Sequence, residues 1–288
     1  MTQILSRLPP TRSLYLKAAK TFSRKPGDDP VLPARATRIA SLRVDPKKLS
    51  AYRDICGFPD NGTLPITYPQ VFITPLQFWM MLQPGFPLPL MGLVHVRNRF
   101  EQQRPLADDE ALDYTVSMGD SRRTHQGLEF DLITQVDDRQ GNTVYRACMT
   151  PLYRMKTGLP RPPRAPVGVS GACEYRSFDI PESTGRRYAS VSGDYNPIHL
   201  HRATARLFGF PRAIAHGMWS LARCVGAMEQ TMEQTPQTLE VQFKQPVLLP
   251  ARTSLRFQRQ DDAADFALLS RDSDKQHLSG TLRFMADD

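Results

Sequence analysis

The chain has 288 residues, of which 40 % are apolar and 23 % charged, with a formal net charge of +8. That is ample apolar material for packed cores and the length of about two average domains. No run of 18 apolar residues occurs, so no membrane-spanning helix is expected, and the positive charge arrives without a recognised nucleic-acid-binding motif, so it reads first as a solvated basic surface.

From the start of the chain, residues 1–35 form a basic segment. Arg7, Arg12, Lys17, Lys20, Arg24 and Lys25 fall within the first 26 residues and no acid does. Such a stretch fits a mitochondrial transit peptide or a basic helix over Ser13–Phe22 docked through Leu14, Leu16 and Ala18 or Ala19. The docked helix accounts better for the pattern, which favours a cytoplasmic over a mitochondrial location. Residues 23–35 read as an unstructured joint. Cys56, Cys148, Cys173 and Cys224 lie far apart with no C-x-x-C pair, so no zinc or redox-disulfide site is expected.

The chain then repeats itself. Tyr68–Leu76 (YPQVFITPL) matches Phe210–Met218 (FPRAIAHGM), and Phe100 matches Phe243, at spacings of 142 and 143 residues. Two matches at nearly one spacing argue for tandem copies of one domain. In the first copy (36–156) an apolar run at Pro75–Pro84 predicts a short buried helix. Alternating segments at Leu112–Met118, Gly127–Val136 and Thr143–Leu152 predict strands. The Pro/Gly-rich residues 157–171 read as the linker. In the second copy (172–288) Met218, Leu221, Ala222, Val225, Met228 and Met232 recur at helical spacing over Gly217–Gln234. Strands are expected at Leu239–Phe243, Thr253–Phe257, Asp265–Ser270 and Leu278–Phe284. Periodicity alone gives class α+β.

The chemistry concentrates in Tyr188–Leu200, YASVSGDYNPIHL. Asp194, Asn196 and His199 share one short segment, with Gly193 and Pro197 marking a tight turn. An acid and an imidazole presented together suit proton transfer. Each residue alone has a duller reading. Asp194 could cap a helix, His199 could be a satisfied imidazole, and His216 could only fill the start of the following helix. Two ligands without a third nearby make a weak case for a metal. The Ala215–Met218 run (AHGM) opens the long apolar helix, where N–H groups lack partners within the helix.

The 13-residue string, with Ala205 five residues beyond the motif, closely resembles the hydratase motif of MaoC-like (R)-specific enoyl-thioester hydratases and 3-hydroxyacyl-thioester dehydratases. The resemblance implies a tandem (double) hot dog, two antiparallel sheets each wrapped around a central helix. It implies reversible hydration of trans-2-enoyl thioesters to (3R)-3-hydroxyacyl thioesters, without a metal or other cofactor. Asp194 and His199 are then the acid–base pair and the Gly217 N–H the oxyanion donor. Asn196, His216, Met218 and Arg212 become candidate substrate-binding residues. The implied partner is an acyl thioester of coenzyme A or acyl carrier protein, whose phosphates Arg212 and its basic neighbours could meet. A homodimer is compatible, although two units per chain already supply the internal pairing. A hot-dog thioesterase and a non-enzymatic acyl-thioester binder are the alternatives. The first copy has Asp54–Asn61 (DICGFPDN) opposite the motif and no histidine there, so one centre per chain is expected.

Overall fold

The computed structural model describes residues 2–163, 169 and 173–286. The expected linker residues 164–168 and 170–171, and the last two residues of the chain, lie outside this set. A short strand β1 (Thr2–Leu5) and helix α1 (Thr11–Lys20) come first. The first copy follows as β2 (Ala36–Leu42), α2 (Pro46–Cys56), α3 (Tyr68–Phe72), α4 (Thr74–Leu82), β3 (Leu93–Gln102), β4 (Leu112–Thr124), β5 (Gly127–Asp137) and β6 (Thr143–Arg154). The second copy is β7 (Glu174–Ile180), α5 (Thr184–Ser192), α6 (Arg202–Arg206), α7 (Gly217–Met232), β8 (Pro236–Phe243), β9 (Ala251–Gln260), β10 (Ala263–Ser270) and β11 (Gln276–Phe284).

Among the described residues, eleven strands join into one sheet in the order β1-β2-β4-β5-β6-β3-β8-β11-β10-β9-β7. Apart from β1, the order reads the same from either end once the copies are matched, β2 with β7 and β3 with β8. Every pairing is antiparallel except β1 with β2. The two expected sheets are therefore fused along the β3–β8 seam. There Asn98 faces Val241, residues separated in sequence just as Phe100 and Phe243 are. The chain is thus a double hot dog with a local twofold axis at that seam.

The helices lie against this sheet for local reasons. Asp45 caps α2 by accepting the Lys47 N–H at 2.9 Å, Pro46 sits at the first helical position, and Gly57 ends the helix in the left-handed conformation. Helix α7 buries Leu221, Ala222, Val225, Met228 and Met232, as the apolar spacing requires. An aromatic cluster ties the copies together: Tyr52 meets Tyr68 at 4.9 Å, Phe58 at 6.0 Å and Tyr188 at 6.1 Å between ring centroids. Helix α1 docks through Leu14 and Ala18, whereas Leu16, expected to dock, is 72 % exposed. The helix begins two residues earlier than its apolar run suggests, and Leu16 falls on the outer face. No helix among the described residues is long and apolar enough to cross a membrane.

Candidate active site

The end of α5 is built to deliver the motif. Gly193 has φ 74°, a left-handed conformation that favours glycine, and it turns the chain out of the helix. The Asn196 N–H then donates to Asp194 Oδ1 at 3.1 Å, and the Asn196 side chain accepts from Ile198 N at 3.4 Å. Pro197 starts a single 3₁₀ turn that ends at His199. The six residues Asp194–His199 thereby become one compact loop. Helix α5 lies hard against it: a Cβ added at Gly185 would meet the His199 carbonyl.

His199 is buried, with its Nδ1 2.8 Å from Ile214 O. A carbonyl only accepts, so Nδ1 carries the proton and the neutral ring keeps a free lone pair on Nε2. His216 caps α7 immediately before Gly217. Its ring stacks on His199 with centroids 3.7 Å apart, and its Nε2–H donates to Asp194 O at 2.9 Å. The same nitrogen is 3.8 Å from Asp194 Oδ2. Donor atoms of Asp194, His199 and His216 all lie within 4.8 Å of one another. One water can bridge two groups at that separation, because two hydrogen bonds of about 2.8 Å span as much as about 5.6 Å.

The electrostatics favour a carboxylate between two neutral imidazoles. Burial is the largest influence on Asp194 and would raise its pKa, but His216, His199, the Tyr15 hydroxyl and the Asn196 N–H together hold it below the usual carboxylate range. The side chain stays 33 % exposed. Burial, and then its neighbour His199, push His216 down to about 3. Burial lowers His199 as well, against the pull of Asp194.

His216 supplies the third group that the sequence alone did not place beside Asp194 and His199. The trio is nonetheless poorly arranged for a metal. Two rings inclined by only 25° send their in-plane lone pairs side by side, whereas tetrahedral ligands must aim at one point. The His216 Nε2–H is also committed to Asp194 O.

The remaining sequence-derived residues are placed as follows. Gly217 opens α7, and the Phe243 ring fills the space its side chain would take, with ring carbons 3.1 and 3.2 Å from an added Cβ. Met218 is half-buried, its sulfur 3.8 Å from Asn98 Nδ2 on β3. His216 is 2 % exposed and sits between the rings of His199 and Tyr188. Arg212 is exposed and donates to Pro250 O at 3.4 Å, so it contacts none of the trio. An open groove of about 800 Å³ lies at the β3–β8 seam, lined by Arg97, Arg122, Asp131 and Glu240 among others, and includes none of the trio.

Two further groups meet the site. Tyr15 on α1 donates its hydroxyl to Asp194 Oδ1 at 2.6 Å. His95 on β3 is driven to about 4 by burial and feels the Asp194 charge; its ring packs on Phe243 at 4.8 Å. Neither stood out in the sequence, where each is a lone residue far from the motif.

In the first copy, α2 ends at Gly57 as α5 ends at Gly193, with φ 75° and 74°. Phe58 therefore stands where the second copy has Asp194. The sequence expectation sets Asp54–Asn61 opposite the motif, two residues out of step with this match of helix ends. Asp54 is exposed on α2, and Asp60 pairs with Arg53 at 2.7 Å.

Residues 160–280 match the family model described as "MaoC like domain". The chain is 34 % identical over 258 residues to 3-hydroxyacyl-thioester dehydratase X of Mycobacterium tuberculosis, covering 88 % of this chain and 90 % of that protein. A crystal structure of that bacterium's HtdX superposes with TM-score 0.75 at 31 % identity, covering 87 % of this chain and all of the other. A MaoC-like dehydratase from Phytophthora capsici shares the fold with TM-score 0.69 at 19 % identity, over 89 % of this chain and 97 % of that one.

Proposed function

This chain belongs to the family of MaoC-like hydratases and dehydratases, and we propose that it runs the family's reaction at one centre, with Asp194 and His199 as the acid–base pair. The enzyme is a hydro-lyase acting on acyl thioesters. In hydration, water bonds to C3 of a trans-2-enoyl thioester, a water proton leaves to a base, and C2 receives a proton while charge passes through the thioester oxygen. Dehydration of the (3R)-3-hydroxyacyl thioester is the reverse. The observation that carries this reading is the convergence of the Asp194 and His199 donor atoms within 4.8 Å, with Asp194 Oδ2 and His199 Nε2 free of hydrogen bonds among the described residues. Each positioned acid–base group contributes about 10²–10⁴ in rate.

The Gly217 N–H is the donor for the thioester oxygen. It has no partner within its helix and lies at the positive end of the α7 dipole. Asn196 holds the loop and His216 the Asp194 main chain. Met218 faces the acyl group, and Arg212, outside the trio, meets the phosphates of a coenzyme A or acyl-carrier-protein carrier.

A panel of trans-2-enoyl thioesters on both carriers tests the assignment. Loss of the conjugated-enone absorbance with formation of the (3R)-3-hydroxy product is expected. Release of free thiol without that product would mean hydrolysis instead, and binding without turnover would mean a carrier-binding role.

A further inference from the structure

We propose that Tyr15, delivered by the N-terminal helix, is a positioning residue of the reaction centre, its hydroxyl holding Asp194 as a carboxylate with Oδ1 engaged and Oδ2 left for the reaction. The inference rests on Asp194 belonging to the acid–base pair argued above.

The contact is made across 179 residues of sequence, at 2.6 Å. Three features anchor the segment that carries it. Leu14 and Ala18 are buried on either side of Tyr15, and the Tyr15 ring packs on Phe78 at 5.1 Å. Thr11 lies against the Gly193 turn, 3.2 Å from where a Cβ would be. Beyond the helix, the Arg24 guanidinium donates to Met81 O at 3.2 Å and Leu88 O at 3.0 Å, and Thr21 Oγ1 accepts from Leu90 N at 2.9 Å. A helix that only covered the site would need the ring of Tyr15 and not its oxygen.

The groups that meet or sense Asp194 come from every side. They are Tyr15 on α1, Tyr188 on α5, the Asn196 N–H and His199 in the loop, His216 before α7, and His95 on β3. Burial and then the Asp194 charge raise the Tyr15 hydroxyl well above its ordinary pKa, so it stays protonated and can only donate to the carboxylate. Both nearby histidines are pushed towards the neutral form. Among the described residues the Tyr15 hydroxyl and the Asn196 N–H are the two hydrogen-bond donors to Oδ1, and they act beside the larger influence of His216 and His199 in keeping Asp194 charged.

The test uses the full-length protein with Tyr15→Phe, which keeps the ring and removes the oxygen. The expected kcat falls roughly tenfold or more, the scale of losing a hydrogen bond to a charged group, while KM changes less. The acid limb of the pH–rate profile should move to higher pH, because a donor that stabilised the charged form is gone. Carbon NMR of labelled aspartate, with Asp194→Asn as the assignment blank, should show the Asp194 carboxyl titrating at higher pH without any substrate present. An unchanged profile and titration would overturn the proposal. So would a gain in kcat/KM, which would make α1 a mere cover, or a Tyr15→Phe protein equal to wild type beside an impaired Tyr15→Ala. If the wild type turns over no enoyl thioester yet the carboxyl titration shifts as described, the functional reading fails and the positioning role stands.

Discussion

A single methyl group on α5 should disable the centre without touching any group that does chemistry. Gly185 packs against the 3₁₀ turn so closely that a Cβ would lie less than 3.0 Å from His199 O and 3.1 Å from its carbonyl carbon. Both are main-chain atoms of the residue that carries the imidazole, so no side chain can swing aside. An ordinary carbon–oxygen contact is reached only if α5 or the turn moves by about 1 Å, and overpacking of that kind costs about 1–3 kcal/mol. Alanine is intrinsically the better helix former, by about 1 kcal/mol, which offsets part of the loss. Gly185→Ala should then be less stable by up to about 2 kcal/mol in urea unfolding, and still folded. Its turnover should fall by about 10², because a displacement near 1 Å in a positioned catalytic group costs that much. Gly92→Ala is the control, since nothing lies within 4 Å of its added Cβ. Enoyl-thioester hydration and urea denaturation, measured on both variants, decide the matter. A Gly185→Ala enzyme with wild-type kcat would refute the claim that α5 sets the position of His199.

Other perturbations separate chemistry from packing. Asp194→Asn and His199→Ala should each lower kcat by about 10²–10⁴ with near-native circular dichroism; near-normal turnover in either would remove it from the pair. Gly217→Ala leaves the N–H in place but asks the half-buried Phe243 ring to yield by a few tenths of an ångström. Stability should change by less than about 1 kcal/mol and kcat/KM should fall, and the double variant with Phe243→Leu should recover activity if crowding is the cause. Acid should weaken the fold. Burial lowers His216 to about 3 and His95 to about 4 and also depresses His199, against about 6.5 in the unfolded chain. The unfolded state then binds more protons below about pH 6.5, so stability present above that pH is lost as pH falls towards 3–4. Each fully shifted group contributes up to about 1.4 kcal/mol per pH unit. Urea midpoints that are equal at pH 7.5 and 5.0 would contradict this.

The parts of the fold that were legible in the sequence are those with a strong local pattern. Helix α7 has an apolar residue at each turn of one face, and the first half of β4 and Phe130–Val136 of β5 alternate between buried and more open positions. Strand β7 was missed because it is an edge strand with only Phe178 and Ile180 buried, so it shows no alternation of apolar residues. Helix α5 buries Tyr188 and Ala189 but also Thr184, Gly185 and Ser192, which leaves no apolar stripe to find. The Asp194–His199 loop was readable because its parts are contiguous. Tyr15 and His95 were not, because their place in the site is set by α1 docking and by the β3–β8 seam rather than by neighbouring residues.

The two copies differ in a way that makes physical sense only as a linked set of changes. At the spacing of the aromatic–Pro pairs, Gly217 corresponds to Pro75, which has no N–H to offer a thioester oxygen. Asp194 corresponds to Phe58, 7 % exposed and stacked on Tyr52. A carboxylate at that position would lack the histidine and phenol that surround Asp194, and an unpartnered buried charge costs several kcal/mol. Phenylalanine there instead contributes about 1.5–3 kcal/mol of burial. The freed backbone at the end of α2 has taken on another task. Trp219 Nε1 donates to Ile55 O at 3.0 Å and Gln230 Nε2 to Gly57 O at 2.8 Å, so the first copy holds two turns of the helix that Gly217 opens. On the proposed reading, Phe58→Asp would thus supply one of several parts that the first copy lacks while weakening the packing from which α2 holds α7.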